Sequence, residues 1–96
     1  MKRYDPESLG DVLRDTLQEA GLTERLLETQ AAAVWPRVAG SYLAEQTGKP
    51  YVRAGVMQIR VPGASLRHDL NMNRTTLRNL INREVGKEII SELRFV

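Results

Sequence analysis

Gly48-Lys49-Pro50-Tyr51-Val52-Arg53-Ala54-Gly55-Val56-Met57-Gln58-Ile59-Arg60-Val61 is the stretch in which the period of the chain changes. Gly48 and Pro50 end a helix, and beyond them Met57, Ile59 and Val61 alternate with Gln58 and Arg60 at a period of two. Residues 51–54 and 56–61 therefore read as the two strands of a short hairpin around Gly55, apolar on one face and polar on the other. Pro62-Gly63 ends the hairpin. A sheet whose alternate residues are polar accepts helices on one side only, which predicts a two-layer α+β domain.

Working upstream, Asp5-Pro6 starts a helix over about 6–20, because Asp accepts from free N–H groups and Pro tolerates the first helical position. Leu9, Val12, Leu13, Thr16, Leu17 and Ala20 form its inner face, and Asp11, Asp15 and Glu19 its outer one. Gly21 suits the left-handed residue that closes a helix. Thr23 then caps a second helix whose Leu27, Ala31, Val34, Trp35, Val38 and Tyr42 keep to one stripe. The phase survives Pro36, which predicts one helix over about 23–46, kinked at Trp35-Pro36, with two abutting helices as the alternative.

Downstream, Ser65 caps a third helix that turns Leu66, Leu70, Leu77, Leu80 and Ile81 inward and closes at Gly86. Asn73 falls inside that stripe, where an unpaired amide is costly, so the alternative is a break near Asn71–Asn73. Residues 89–96 alternate again, Leu93 and Phe95 against Glu92 and Arg94, and read as a third strand. The expected order is α-α-β-β-α-β, a three-stranded sheet covered by helices on one face, in one domain over 1–96 with no repeat or linker. Because the last strand reaches the final residue, truncation there is expected to be damaging.

Composition bounds the function. The 96 residues are 42% apolar and 27% charged, enough for a single core. The absence of cysteine excludes disulfides, zinc ribbons and thiol nucleophiles, and makes the reducing cytoplasm the expected compartment. The longest apolar run, Ala31 to Trp35, is far short of the ~20 residues a membrane span needs, and Met1-Lys2-Arg3 leads into polar residues, unlike a secretory signal. His68 is the one histidine, and Asp69 beside it points about 100° away on a helix. Asp11 and Asp15 share a wet helix face, Gly48-Lys49 lacks the rest of a phosphate loop, and no Gly-x-Gly-x-x-Gly occurs. No catalytic residue, metal site or cofactor is expected.

Charge is the positive signal. Residues 1–48 carry five Lys+Arg and eight Asp+Glu, a net −3, whereas residues 49–96 carry nine and four, a net +5. Either the basic half meets a polyanion or the two halves attract each other. Eleven of the fourteen cations are Arg, whose planar fork matches phosphate oxygens. On the third helix Arg67, Asn71, Arg74, Arg78 and Asn82 recur every three or four residues as one polar ridge, suited to phosphates if it is not merely a solvated flank. A second candidate surface is the sheet face away from the helices, where Gln58, Arg60 and Arg94 emerge beside Tyr51 and Arg53. Arg beside Tyr there suits a single strand. Trp35, within its apolar stripe, reads as core.

The run Trp35-Pro36-Arg37-Val38-Ala39-Gly40, then Leu43-Ala44, Thr47 and Pro50, resembles the Trp-x-x-[Ile/Val]-[Val/Ala]-Gly signature of the DciA family of bacterial replicative-helicase operators. Gly55 with Met57, Ile59 and Val61, the Ser65 to Leu70 helix start, Leu80-Ile81-Asn82 with Gly86, and Arg94-Phe95 follow in register over about residues 8–96. The resemblance implies a KH-like domain that binds DNA, single- or double-stranded, and helps to load a DnaB-type helicase. Many members carry a long basic tail, and the last expected strand here reaches residue 96. The Gly-x-x-Gly clamp of true KH modules is absent, with Asn71 to Asn73 near its place. Two functions are thereby expected to compete. One is a non-enzymatic nucleic-acid-binding module using Arg60, Arg67, Asn71, Arg74 and Arg78. The other is an adaptor that docks a replication partner through Asp11, Asp15 and Glu19 without binding nucleic acid.

Overall fold

The structure, a computed structural model, describes residues 21–96. The helix expected over 6–20 lies outside the described residues. From Gly21 onward the order is α1 (Leu22–Ala39), α2 (Ser41–Glu45), β1 (Tyr51–Arg53), β2 (Val56–Ile59), α3 (Ala64–Met72), α4 (Arg74–Val85) and β3 (Glu92–Phe95). The described part is thus a mixed α+β domain with four helices and an open three-stranded sheet, β1-β2-β3.

The long second helix breaks four residues later than expected. Pro36 sits inside α1 on its exposed side, where the loss of one N–H is tolerated, and the break falls at Gly40 with φ 86° and ψ 158°. Only glycine visits that region readily. The break redirects α2, which is why Tyr42, expected in the buried stripe, is 73% exposed. Gly21 precedes α1 and no side chain caps it, so Thr23 lies inside the helix; Gly63 likewise takes the place expected of Ser65 before α3.

The hairpin forms as expected, with shorter strands. Tyr51, Val52 and Arg53 pair antiparallel with Gln58, Met57 and Val56. The two loop residues, Ala54 (φ 52°) and Gly55 (φ 81°), are both left-handed, the twist a two-residue hairpin loop prefers. A side chain at position 55 would also stand 3.0 Å from Ser91 Oγ. The single third helix is two, because the chain breaks at Asn73. This takes its amide out of the apolar stripe to donate to the Asp69 carbonyl at 2.9 Å. Leu80, expected inside, stands 37% exposed at the stripe's border.

β3 runs parallel to β2, with Val56, Met57, Gln58 and Ile59 beside Glu92, Leu93, Arg94 and Phe95. Met57, Ile59, Val61, Leu93 and Phe95 are buried under Ala31 and Trp35 of α1, Leu70 of α3 and Ile81 of α4. Trp35 is core, as its stripe implied: 1% exposed, 5.6 Å from the Phe95 ring centroid, and donating Nε1–H to Thr47 Oγ1 at 3.0 Å. Thr47 in turn donates to the Ala44 carbonyl. Trp35, Gly40, Ala44 and Thr47, residues that carry the family resemblance, thus build one structural corner.

Candidate nucleic-acid interface

The polar ridge of the third helix exists, but it is split at Asn73 and it faces β3. Alternate residues of a strand direct their backbone groups to opposite edges. Val96 uses its N–H and carbonyl towards Ile59 and Val61, so the backbone groups of Phe95 point to the outer edge of β3. Asn71 meets both: its Nδ2 donates to the Phe95 carbonyl at 3.0 Å, and its Oδ1 accepts the Phe95 N–H at 3.2 Å. Asn82, only 7% exposed, does the same for Ile90, both bonds at 2.9 Å. Two side-chain amides therefore stand in for the missing fourth strand. Asn71 thus spends one amide hydrogen and its carbonyl oxygen on β3, which leaves one amide hydrogen for a phosphate.

The arginines behave differently. Arg78 lies between the clamps, donating from Nη1 to the Ser91 carbonyl at 3.2 Å and from Nη2 to Asn79 Oδ1 at 2.9 Å, while its Nε is buried without a partner. Arg74 is exposed, and the two share a small cleft of about 120 Å³ with Thr75, Ser91, Glu92 and Leu93. Arg67 donates from Nη1 to the Val61 carbonyl at 2.9 Å and lines a second hollow with Arg60, Val61, Pro62 and Val96. The structure thus groups the expected residues as two basic pairs, Arg74 with Arg78 and Arg60 with Arg67. They stand at opposite ends of β3, roughly 13 Å apart along a strand of that length.

None of these four guanidiniums has a carboxylate within ion-pair distance among the described residues. The ion pairs there are Arg37–Glu84 at 3.3 Å and Arg94–Glu92 at 2.9 Å. The Arg94 hydrogen bonds hold the Glu92 carboxyl below its ordinary pKa, with Arg94 and Arg74 charges adding to the effect, and Glu92 raises that of Arg94 in return.

The open face of the sheet carries the second expected surface. Strand register puts Tyr51, Gln58 and Arg94 in one row across β1, β2 and β3, with Arg53, Val56 and Glu92 in the next. Tyr51 is 61% exposed. A shallow concavity of about 270 Å³ lies among Tyr51, Arg53, Ala54, Val56, Gln58 and Arg94. Arg60, exposed and one residue beyond β2 in the same alternation as Gln58, joins this surface to the Arg67 hollow. Asp11, Asp15 and Glu19, the expected partner-docking face, lie outside the described residues. Among the described residues no group of acids and histidine is placed to hold a metal, and no helix is long and apolar enough to cross a membrane.

What sequence reasoning missed was the role of Asn71 and Asn82. The available signal was their position: each directly follows a core residue, Leu70 or Ile81, at the border of the apolar stripe. An amide placed there reaches the backbone of whatever the stripe packs against.

These observations define a small α+β domain with a basic surface, not ion-paired among the described residues, around an amide-clamped edge strand. Residues 8–95, nearly the whole chain, match the family described as "Dna[CI] antecedent, DciA", and the chain belongs to that family. DciA is a family of loaders associated with the DnaB replicative helicase rather than an enzyme family, which gives this chain a role related to helicase loading. A search of curated proteins finds no match.

Proposed function

We propose that this chain is a non-enzymatic, KH-like nucleic-acid-binding module that serves DnaB-type helicase loading in the cytoplasm by holding DNA through Arg60, Arg67, Arg74 and Arg78. The observation that carries this reading is the pair of arginine clusters flanking β3, none of whose guanidiniums is ion-paired with a carboxylate among the described residues. Arg67 and Arg78 are each anchored by a backbone carbonyl, which takes one of five N–H donors, and Arg78 gives a second to Asn79. An anchored guanidinium loses less freedom when it meets a phosphate. The KH-like reading is supported by the two consecutive helices joined at Asn73, which lie between a hairpin and a strand parallel to its second arm.

One ion pair joins the two halves among the described residues, between Arg37 of the acidic half and Glu84 of the basic half.

The test is the salt dependence of binding to a labelled single strand. Three neutralised phosphates give log K against log salt a slope of about −2. Arg74→Glu with Arg78→Glu should weaken binding and flatten the slope. Arg60→Glu with Arg74→Glu, which breaks no hydrogen bond of the fold, should do the same. Unchanged affinity and slope in both double variants would remove the arginines from the interface.

A further inference from the structure

The arginine pairs explain attraction to any phosphate backbone, but they leave the open sheet face without a use. Among the described residues three cations, Arg53, Arg60 and Arg94, stand on it against one carboxylate, Glu92. An exposed tyrosine heads its middle row. We propose that this face is a second contact surface, continuous through Arg60 with the first, on which an unpaired base of a single DNA strand stacks, held by Tyr51, Gln58 and Arg94. The proposal rests on the nucleic-acid reading above and narrows it to strands whose bases are accessible.

Three features favour that occupant. Tyr51 and Arg94 are two strand spacings apart, about 10 Å, with Gln58 between them on the middle strand, so a flat ring has an aromatic neighbour on one side and a guanidinium on the other. The Arg94 guanidinium is pinned by two bonds to Glu92, at 2.9 and 3.1 Å, which holds its plane in place as a stacking partner. Gln58 offers a donor and an acceptor from one amide, the combination that pairs with a base edge. Ala54 and Val56 give the concavity among these side chains an apolar part of its lining, Arg53 lines it too, and Arg60 lies outside it for a flanking phosphate. In a duplex the faces of the bases are covered by their neighbours, so a stacking platform selects for single strands.

Binding of the full chain is to be measured by fluorescence anisotropy to three probes of equal length: oligo(dT), the same backbone without bases, and a duplex. The native chain should prefer oligo(dT) to the abasic strand. Tyr51→Ala should lower oligo(dT) affinity roughly 5- to 150-fold, the range for losing one stacked base, while abasic and duplex affinities stay unchanged. Tyr51→Phe should retain most of the native preference. Tyr51 is largely exposed, so neither change should disturb the core, and unfolding curves check this. A Tyr51→Trp variant should add an emission that oligo(dT) quenches and the abasic strand does not, over a background from buried Trp35.

Equal native affinity for oligo(dT) and the abasic strand would overturn the platform and leave the arginine interface standing. Native binding to none of the probes would overturn both readings. Competition by a polyglutamate peptide that also depends on Tyr51 would assign the face to an acidic protein segment and overturn the proposal.

Discussion

At the residue scale the two asparagine clamps decide more than any charged group. A strand edge leaves an N–H and a carbonyl unpaired at every second residue, and burying them costs free energy unless something else pairs with them. Asn82 supplies both partners to Ile90 inside the core, and Asn71 does so for Phe95 nearer the surface. Asn82→Ala removes two hydrogen bonds and strands two buried backbone groups. It should lower stability by about 2–4 kcal/mol in urea unfolding, given the cost of losing a bond and of leaving its partner unsatisfied. Asn71→Ala, half-buried, should lose less, about 1–2 kcal/mol. Equal losses at the two positions would show that burial does not set the cost. The sequence could place these amides on a ridge but not say what faced it, because a helical wheel shows direction and not neighbour.

Glycine and asparagine, rather than proline, mark where the helices end. The hairpin, the buried alternation of Met57, Ile59 and Val61, and the core role of Trp35 were legible because each rests on local period or turn chemistry. The break at Gly40 was not. The apolar stripe runs past it without a change of phase, and Pro36 supplied a more obvious breaker four residues earlier. The split at Asn73 was legible through cost, since a continuous helix would have buried its amide. A consequence can be measured. The backbone at Gly40 lies where only glycine is unstrained, and a Cβ there meets nothing within 4 Å, so Gly40→Ala should cost about 1–3 kcal/mol through strain alone. Pro36→Ala restores a helical N–H on the exposed side of α1 and should stabilise by about 1 kcal/mol or more. If thermal melts move the other way for the two substitutions, the helix boundary lies at the proline after all.

Over the whole molecule, the last five residues tie every layer together. β3 gives Leu93 and Phe95 to the core, sets Phe95 against Trp35, pairs with β2 along one edge and receives the Asn71 amide along the other. It also separates the two arginine pairs, so the spacing of the proposed phosphate contacts is set by a strand rather than by flexible chain. Removing residues 92–96 would therefore expose Met57, Ile59 and Trp35 at once, leave the outer edge of β2 unpaired and free the Asn71 amide. No local repair replaces these together, because large core losses exceed the few kcal/mol by which a domain of this size is stable. The shortened chain should lack a cooperative thermal transition by circular dichroism, and it should lose the salt-dependent affinity even though Arg60, Arg67, Arg74 and Arg78 are all retained. Extension beyond Val96 should be harmless by comparison, since that side chain is 53% exposed and only its backbone is bound, to Ile59 and Val61. A truncated chain that still melts cooperatively and still binds with the native salt slope would show that the arginines are positioned without β3.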